Sequence, residues 1–417
     1  MLGLQVTQQQ FPGVGSSLPV GILFLLHITI AEYSVGAITL ASAFEWHALR
    51  SGSERSLRYS RAAANSYYLV FSLGATLAVF AVVLLYGLWG NQFGTLSNQL
   101  LPLFAFAFGL FLVLTPSLVL YRNSAGRMAP RIHAILGSWV AALQTLFVFL
   151  IVGLDTYLIT PFNGGLLATT LNPPYWPLLL HRLIGNVSWT ALFLAAYAAV
   201  RLLGARDADE RAFQGWAARI NLRIGLAAAL LMPVDGFVLM LVLQNTQLGY
   251  FNNLISGGDA WLMVLQEAFI AVVLVGGNLA LALEPGWSGA RRHPVAIPAV
   301  LLSLAGRVVA VLPSAVLPAS AEVVRFVGLG LAVVVTGVHL ALRRSTDPSP
   351  GQSASAPPLP SMRLARRCLV VVGAFALATS LLMGVIKESA RGNYSVYGEL
   401  TQAQAAQPFT PSPSLYP

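Results

Sequence analysis

The stretch LFLLHITIAEYSVG, residues 23–36, places a histidine and a glutamate inside a run of otherwise apolar residues. The run extends over residues 17–43, which exceeds the about 20 residues that an α-helix needs to cross a hydrocarbon core about 30 Å thick. Ionisable side chains are costly at membrane depth, so His27 and Glu32 would need a specific role if this run crosses a membrane. The composition of the whole chain indicates that it does.

The chain has 417 residues, of which 56% are hydrophobic and only 9% are charged, and its mean hydropathy is +0.72. A water-soluble domain carries about 25% charged residues, so this chain could not cover a soluble surface. In lipid the backbone must be hydrogen-bonded internally, and the apolar segments lack the alternation of barrel strands. The sequence therefore predicts an all-α, polytopic transmembrane bundle of about ten spans. The apolar segments are residues 17–43, 62–89, 98–121, 132–159, 176–203, 224–246, 259–283, 294–314, 322–342 and 366–387.

Basic residues occur in every second link between these segments. Because such residues mark the cytoplasmic side, the alternation predicts that both termini lie on the outer, periplasmic side. The net charge of +9 is then a topology signal, and no nucleic-acid partner is expected. Cys368 is the single cysteine, which excludes an internal disulfide and any cysteine-rich metal site. The links that carry several arginines include Arg50, Arg55, Arg58 and Arg61; Arg122, Arg127 and Arg131; Arg201, Arg206, Arg211, Arg219 and Arg223; and Arg343, Arg344, Arg363, Arg366 and Arg367.

Composition divides the chain into four parts. Residues 1–344 carry the first nine spans, and residues 345–362 form a Pro/Ser-rich cytoplasmic linker. Residues 363–398 hold the last span and an outer segment with an arginine. Residues 399–417 are a Pro/Gln-rich outer tail, which we expect to be ordered only by a partner subunit.

Ionisable residues inside the spans are candidates for function. The predicted topology puts His27, His181, Asp235 and Glu267 in the outer half of the bundle, at 1.5 Å per helical residue. Arg307, Arg325 and Glu388 lie near the outer ends of the last three spans. The deep polar groups therefore indicate a site on the outer side of the membrane.

Two histidines on different helices suggest haem, because imidazole is a good axial ligand for iron. Gly185 and Ser188 follow His181 at i+4 and i+7, so the helix face below that imidazole is small enough for a flat macrocycle. Arg307, Arg325 and Arg391 would pair with haem propionates. The alternative is that the histidines and Ser188 make hydrogen bonds between helices, as such residues do in membrane proteins.

Other polar residues in the spans have simpler interpretations. Glu32 lies five residues from His27, so the two do not share a helix face, and a bond from its carboxyl to a neighbouring helix is at least as well supported as proton transfer. Asp235 lies between Pro233 and Gly236, where a broken helix turn would expose backbone to a ligand or water. The alternative is that this proline and glycine simply permit packing. The remaining histidines fall near the cytoplasmic ends and are expected to be interfacial: His47, His133, His293 and His339.

Three segments resemble subunit I of the cytochrome bd quinol oxidases, over helices one to six and nine to ten. Residues 25–49, LLHITIAEYSVGAITLASAFEWHAL, look like its first helix, and residues 178–216, beginning LLLHRLIGNVSW, are similar to its fifth helix. Residues 381–400, LLMGVIKESARGNYSVYGEL, resemble a late helix that carries a glutamate followed by an arginine. The resemblance implies that His27 and Glu388 are iron ligands of a paired-haem site and that His181 is an axial ligand of a low-spin haem b. Arg391 matches the arginine of the family.

The resemblance implies a membrane subunit that binds one to three haem b groups and passes electrons between membrane quinol and a partner. Asp235 and Glu267 would accept protons from quinol, as in a quinol-oxidising oxidoreductase. Expected partners are the lipid bilayer, a second membrane subunit of the bd subunit II type, and a periplasmic or extracellular cytochrome c; the expected location is a bacterial or archaeal inner membrane. Where the family has a methionine ligand, this chain has Phe326 or Val327. That difference favours an alternative, a cofactor-free anchoring subunit that keeps the fold.

Overall fold

The protein is α-helical almost throughout in a computed structural model. The structure describes residues 15–162, 164–283, 296–311, 321–342 and 360–409, and at 310–311, 321–325 and 360–362 it describes the backbone alone. The helices are α1 (Ser17–Ser51), α2 (Glu54–Leu88), α3 (Gly90–Asn123), α4 (Pro130–Ile159), α5 (Leu166–Thr170), α6 (Tyr175–Gly204), α7 (Ala208–Ala229), α8 (Met232–Thr246), α9 (Leu248–Ser256), α10 (Trp261–Ala282), α11 (Ala296–Val311), α12 (Ala321–Leu342), α13 (Pro360–Ala390) and α14 (Gln402–Ala405). Strands β1 (Tyr394–Val396) and β2 (Leu400–Thr401) form an antiparallel hairpin.

The predicted all-α membrane fold is confirmed. Within the described residues, eight helical segments are long and apolar enough to cross a membrane, and two shorter apolar helices cover Ala296–Val309 and Phe326–Leu342. Within the described residues, each of the ten predicted apolar segments overlaps helix, and the segment 224–246 covers the end of α7 and all of α8. The eight long segments are α1, α2, α3, α4, α6, α7 with α8, α10, and Arg363–Ala390 of α13.

Several predicted links are helical, which corrects the sequence-based boundaries. Residues 90–99 form the first part of α3, which is kinked at Leu100 (φ −120°, ψ 19°). Pro102 explains the kink, since proline removes a backbone donor and clashes with the preceding turn. The arginine-rich segment after α6 forms α7, whose N-terminus is capped by the Asp207 side chain accepting from the Glu210 N–H. The helix is interrupted by a turn at Leu230 and Leu231, just before Pro233, where the sequence predicted a broken helix turn.

The described chain divides into two compact units. Unit 1 comprises Met1–Leu183, Asp235–Asp259 and Gly384–Pro417, and unit 2 comprises Ile184–Val234 and Ala260–Met383. In unit 1, one core cluster joins α1, α4 and the start of α6; its buried residues are Val35, Val148, Val152, Tyr175 and Leu179. These apolar side chains pack against one another and form part of the core of unit 1.

Part of the predicted tail is ordered by this chain itself. Thr401 and Gln404 form a reciprocal capping box that begins α14. The Asn91 backbone N–H donates to the Gln407 carbonyl over 2.8 Å, which joins this segment to the start of α3. The expectation that only a partner orders the tail is therefore wrong for residues up to 409. Of the predicted cytoplasmic linker, residues 345–359 lie outside the described residues, as do residues 410–417 of the tail.

Candidate functional site

The first predicted ligand, His27, bonds to the neighbouring helix through one ring nitrogen. Its Nδ1 lies 3.0 Å from the Gly74 carbonyl oxygen of α2. A carbonyl only accepts, so Nδ1 carries the proton and Nε2 keeps its lone pair. The glycine at position 74 lets α1 and α2 approach closely enough for this bond. A Cβ there would lie 2.9 Å from the Ile30 Cγ2 atom of α1, which is too close. The ring is thus oriented by a backbone acceptor, as metal-bound histidines usually are.

The second predicted ligand, His181, is oriented by a carboxylate. Its Nδ1 lies 3.0 Å from Asp235 Oδ2, and both side chains are mostly buried in unit 1. Gly236 lies against the ring, since a Cβ there would be 3.5 Å from the His181 Cε1 atom. The structure therefore pairs two residues that the sequence singled out separately. Here again Nε2 is the ring atom left for a metal.

The helix face that follows His181 is used for packing. A Cβ at Gly185 would lie 3.3 Å from the Met232 Cε atom, so this methionine covers the glycine. The Ser188 hydroxyl donates to the Gly225 carbonyl over 2.9 Å. The hydrogen-bonding alternative therefore describes Ser188 correctly, and Met232 packs against the small face at Gly185.

Glu388 and Arg391 pair with each other. The Arg391 guanidinium forms an ion pair with Glu388 and donates from Nη1 to the Ser395 carbonyl over 2.7 Å. Arg391 is buried, whereas the Glu388 side chain is 52% exposed. Burial lowers the pKa of the Arg391 guanidinium from its ordinary value. The carboxylate that the resemblance assigns to iron is thus accessible but already has a cationic partner.

Three ionisable residues that sequence reasoning missed form a buried ion cluster in unit 1, which we call the Asp155 cluster. Asp155 of α4 accepts from Lys387 Nζ of α13 over 2.9 Å and forms a second ion pair with Arg182 of α6. Arg182 Nη1 also lies 3.5 Å from Glu32 Oε1 of α1. The Glu32 carboxyl therefore bonds to a neighbouring helix, as one interpretation of the sequence expected. The missed residues carried a usable signal, because each lies in or beside an apolar segment.

The Asp155 cluster connects the neighbourhoods of two predicted ligands. Arg182 directly follows His181, and Lys387 directly precedes Glu388. The helices α1 and α13 also meet here, since a Cβ at Gly384, one turn before Glu388, would lie 2.5 Å from the Leu25 Cδ1 atom. Unit 1 therefore brings both predicted ligands beside one buried set of charges.

Side chains of α9 bond to carbonyl groups in the last turn of α13. The Tyr250 hydroxyl donates to the Lys387 carbonyl over 3.3 Å, and the Asn253 amide donates to the Ala390 carbonyl over 3.1 Å. These bonds satisfy carbonyl groups that a helix end otherwise leaves without partners. Burial raises the pKa of the Tyr250 hydroxyl, so it stays a donor at neutral pH.

Two further candidates, Arg307 and Glu267, bond to each other in unit 2. Arg307 is 1% exposed, and its Nη2 donates to both the side chain and the backbone carbonyl of Glu267. The guanidinium predicted to meet a propionate is thus paired with the carboxylate predicted to accept a proton. The side chain of Arg325 lies outside the described residues.

The histidines expected at the membrane interface differ in burial. His47 is exposed, as expected, whereas His133 is 8% and His339 is 0% exposed. His339 Nδ1 lies 2.9 Å from the Asn278 side-chain oxygen, which explains how a buried imidazole is satisfied. His293 lies outside the described residues. Within those residues there is no group of three or more His, Cys, Asp or Glu side chains that could hold a metal ion by themselves.

The helices and their buried charges define a multi-pass α-helical membrane protein. Its fold resembles one solved structure described as bd oxidase from Geobacillus thermodenitrificans, with a TM-score of 0.54 and 15% identity. The similarity covers 89% of this chain and 97% of that chain. No family model and no curated protein matches the sequence. The comparison shows a distant bd-oxidase-like fold.

Proposed function

We propose that this chain is a membrane subunit of a respiratory electron-transfer complex that binds haem b. The observation that carries the proposal is a hydrogen bond made by each of the two predicted histidine ligands, His27 and His181. In each, Nδ1 bonds to an oxygen acceptor and Nε2 is left for a metal. Metal-bound histidines typically donate their second N–H to a carbonyl or carboxylate, which fixes the ring and makes it a better ligand. His27 and His181 have these two kinds of partner, on a bd-oxidase-like fold.

The candidate residues of the two units have distinct roles in this proposal. His27 and His181 would hold iron through Nε2, and Glu388, which now pairs with Arg391, would be the third ligand. Haem, when bound, supplies one-electron redox chemistry, and the protein sets the ligation, polarity and distance. Arg391 would hold a propionate in unit 1, Arg307 and Arg325 would hold propionates in unit 2, and the Asp155 cluster keeps the ligand-bearing ends of α6 and α13 together in unit 1.

Quinol is the proposed electron donor. Its oxidation releases protons, so carboxylates near the site must accept them. Asp235 and Glu267 are the proposed acceptors, and each already contacts a basic side chain, His181 and Arg307 respectively.

The electrons pass to a second membrane subunit of the bd subunit II type or to a periplasmic or extracellular cytochrome c. The proposed location is a bacterial or archaeal inner membrane. The apolar surface of the eight long helices supports the membrane location.

An optical spectrum of the purified full chain tests the haem proposal. We expect reduced-minus-oxidised bands of b-type haem in the wild type, and the loss of at least one band in His27→Ala and in His181→Ala. The matched control is His47→Ala, because His47 is exposed and bonds only locally to the Ser56 and Ser51 hydroxyls. A colourless wild-type preparation, or His181→Ala with an unchanged spectrum, would contradict the ligand assignment.

A second candidate function is a cofactor-free anchoring subunit with the same fold. One observation favours it: all three proposed ligands have protein partners, namely Gly74 for His27, Asp235 for His181 and Arg391 for Glu388. In this case the chain copurifies with its partner subunit and stays colourless after haem is supplied during expression.

A further inference from the structure

Unit 1 holds a second group of buried ionisable side chains, where α1 and α3 end and α4 begins. Glu45 of α1, Tyr121 of α3 and His133 of α4 are 4%, 2% and 8% exposed. The Tyr121 hydroxyl donates to Glu45 Oε2 over 2.7 Å, and His133 Nδ1 bonds to Glu45 Oε1. His133 Nε2 lies 2.9 Å from the Tyr121 backbone carbonyl oxygen. The three side chains therefore connect three helices.

The hydrogen bonds of His133 determine how many protons the pair of Glu45 and His133 must hold together. Both ring nitrogens face oxygen atoms, and the backbone carbonyl can only accept. A neutral imidazole has one N–H, so once Nε2 donates to the carbonyl, the contact with Glu45 needs one more proton, on Nδ1 or on Oε1. Glu45 and His133 thus share one proton and are neutral together. Losing that proton would leave a buried, uncompensated carboxylate.

The surroundings hold this arrangement in place. A Cβ at Gly137 would lie 2.8 Å from the Tyr121 Cε2 atom, so the glycine lets the phenol ring lie against α4. The Tyr121 and His133 rings pack with centroids 4.7 Å apart, and the Ser60 side chain of α2 bonds to the Tyr121 hydroxyl. The charged and titratable side chains that are nearest along α1, α3 and α4 are exposed, namely His47, Arg50, Arg122 and Arg131. On α2, next to Ser60, Arg58 is half-buried and Tyr59 is buried.

The pair lies near the ends of its helices. His133 is three residues from the start of α4 and Tyr121 is two residues from the end of α3, about 4.5 Å and about 3 Å along the helix axes. Ser42 lies one turn before Glu45, and its Oγ is 3.1 Å from Ser138 Oγ, with either hydroxyl able to donate.

We propose that Glu45, His133 and Tyr121 form a proton-binding site that exchanges one proton with the aqueous phase on the arginine-bearing side. The site lies at the opposite end of α4 from Asp155 and does not depend on haem. Only a proton moves, between the Nδ1–Oε1 contact and water. This function goes beyond the electron transfer proposed above.

Infrared difference spectra of the full chain in detergent, recorded as a function of pH, test the site. We expect a carboxylic-acid carbonyl band that appears on acidification, changes together with an imidazole band, and is lost in Glu45→Gln. Tyr121→Phe keeps the ring against Gly137 but removes the donor to the carboxylate. The midpoint of the band should therefore move to higher pH by about one unit.

The control is Glu54→Gln, which changes an exposed carboxylate at the start of α2 and should leave the band unchanged. A spectrum of Glu45→Gln that matches the wild type, in protein with a wild-type thermal midpoint, would overturn the proposal and leave a permanent ion pair that only joins helices. If Glu45→Gln does not fold, Tyr121→Phe decides the question: a shifted midpoint supports the site, and an unshifted one overturns it.

Discussion

At the scale of single residues, the main feature of unit 1 is Asp155, a carboxylate held between two cations from different helices. Lys387 and Arg182 both contact it, and all three side chains are at least 85% buried. A buried charge is stable only when it is paired, because transfer out of water is otherwise costly. The cluster therefore constrains how α4, α6 and α13 pack in unit 1.

Removing one cation from this cluster should destabilise the protein strongly. Arg182→Met leaves Asp155 with one partner and Glu32 without its arginine contact, so we expect a loss of about 3 kcal/mol in the free energy of unfolding. Arg201→Met is the matched control on the same helix, because Arg201 is 55% exposed and lies 3.7 Å from Glu210. Such a surface pair contributes about 0–1 kcal/mol. Thermal or denaturant unfolding in detergent measures the stability of both variants. A loss for Arg182→Met no larger than that for Arg201→Met would show that the cluster is not stabilising.

At the scale of elements, the helix pair α11 and α12 of unit 2 depends on glycine. Gly306 and Gly328 face each other so closely that a Cβ on either would overlap the backbone oxygen of the other. Backbone atoms cannot move aside as a flexible side chain can. Small residues of this kind let membrane helices approach closely, where dispersion contacts and weak hydrogen bonds accumulate.

This close approach makes a matched pair of alanine substitutions informative. Gly328→Ala should separate α11 from α12 and destabilise unit 2 by about 1–3 kcal/mol. Gly330→Ala on the same helix adds its methyl group to open space, since no atom lies within 4 Å. Alanine there should leave the thermal midpoint unchanged or raise it, by up to about 1 kcal/mol in stability. The same midpoint for both variants would show that the glycine contact is not needed.

At the scale of the whole molecule, the orientation in the membrane remains a prediction from the arginine pattern. Cys368 is the only cysteine, so a Cys368→Ser background allows single cysteines to be placed by design. Asn123→Cys at the end of α3 and Thr246→Cys at the end of α8 both replace exposed residues. The pattern puts the first on the cytoplasmic side and the second on the outer side.

Labelling with a membrane-impermeant thiol reagent distinguishes the two sides. In sealed cells whose outer face is accessible, Thr246→Cys should react and Asn123→Cys should react only after permeabilisation. The opposite result would reverse the orientation and place the proposed haem ligands on the cytoplasmic side. Equal labelling of both before permeabilisation would contradict the assignment of these links to opposite sides.

The sequence by itself determined that the chain is an all-α membrane protein, and the positions of its apolar helices. Hydropathy and length are local properties, and lipid leaves a backbone no alternative to internal hydrogen bonds. The same local reasoning selected His27, His181 and Asp235 as buried polar groups. It placed helix boundaries less well, as at residues 90–99, because a helix continues for as long as packing supports it.

Only the tertiary structure decided which ionisable groups meet. Lys387 and Asp155 lie 232 residues apart in the chain, yet their side chains are 2.9 Å apart. Whether two such residues pair depends on the rotation and contact of their helices, which hydropathy does not encode. The same reason explains why His133, which the sequence placed at an interface, is buried against Glu45: the facing helix supplies the carboxylate that makes burial of the imidazole tolerable.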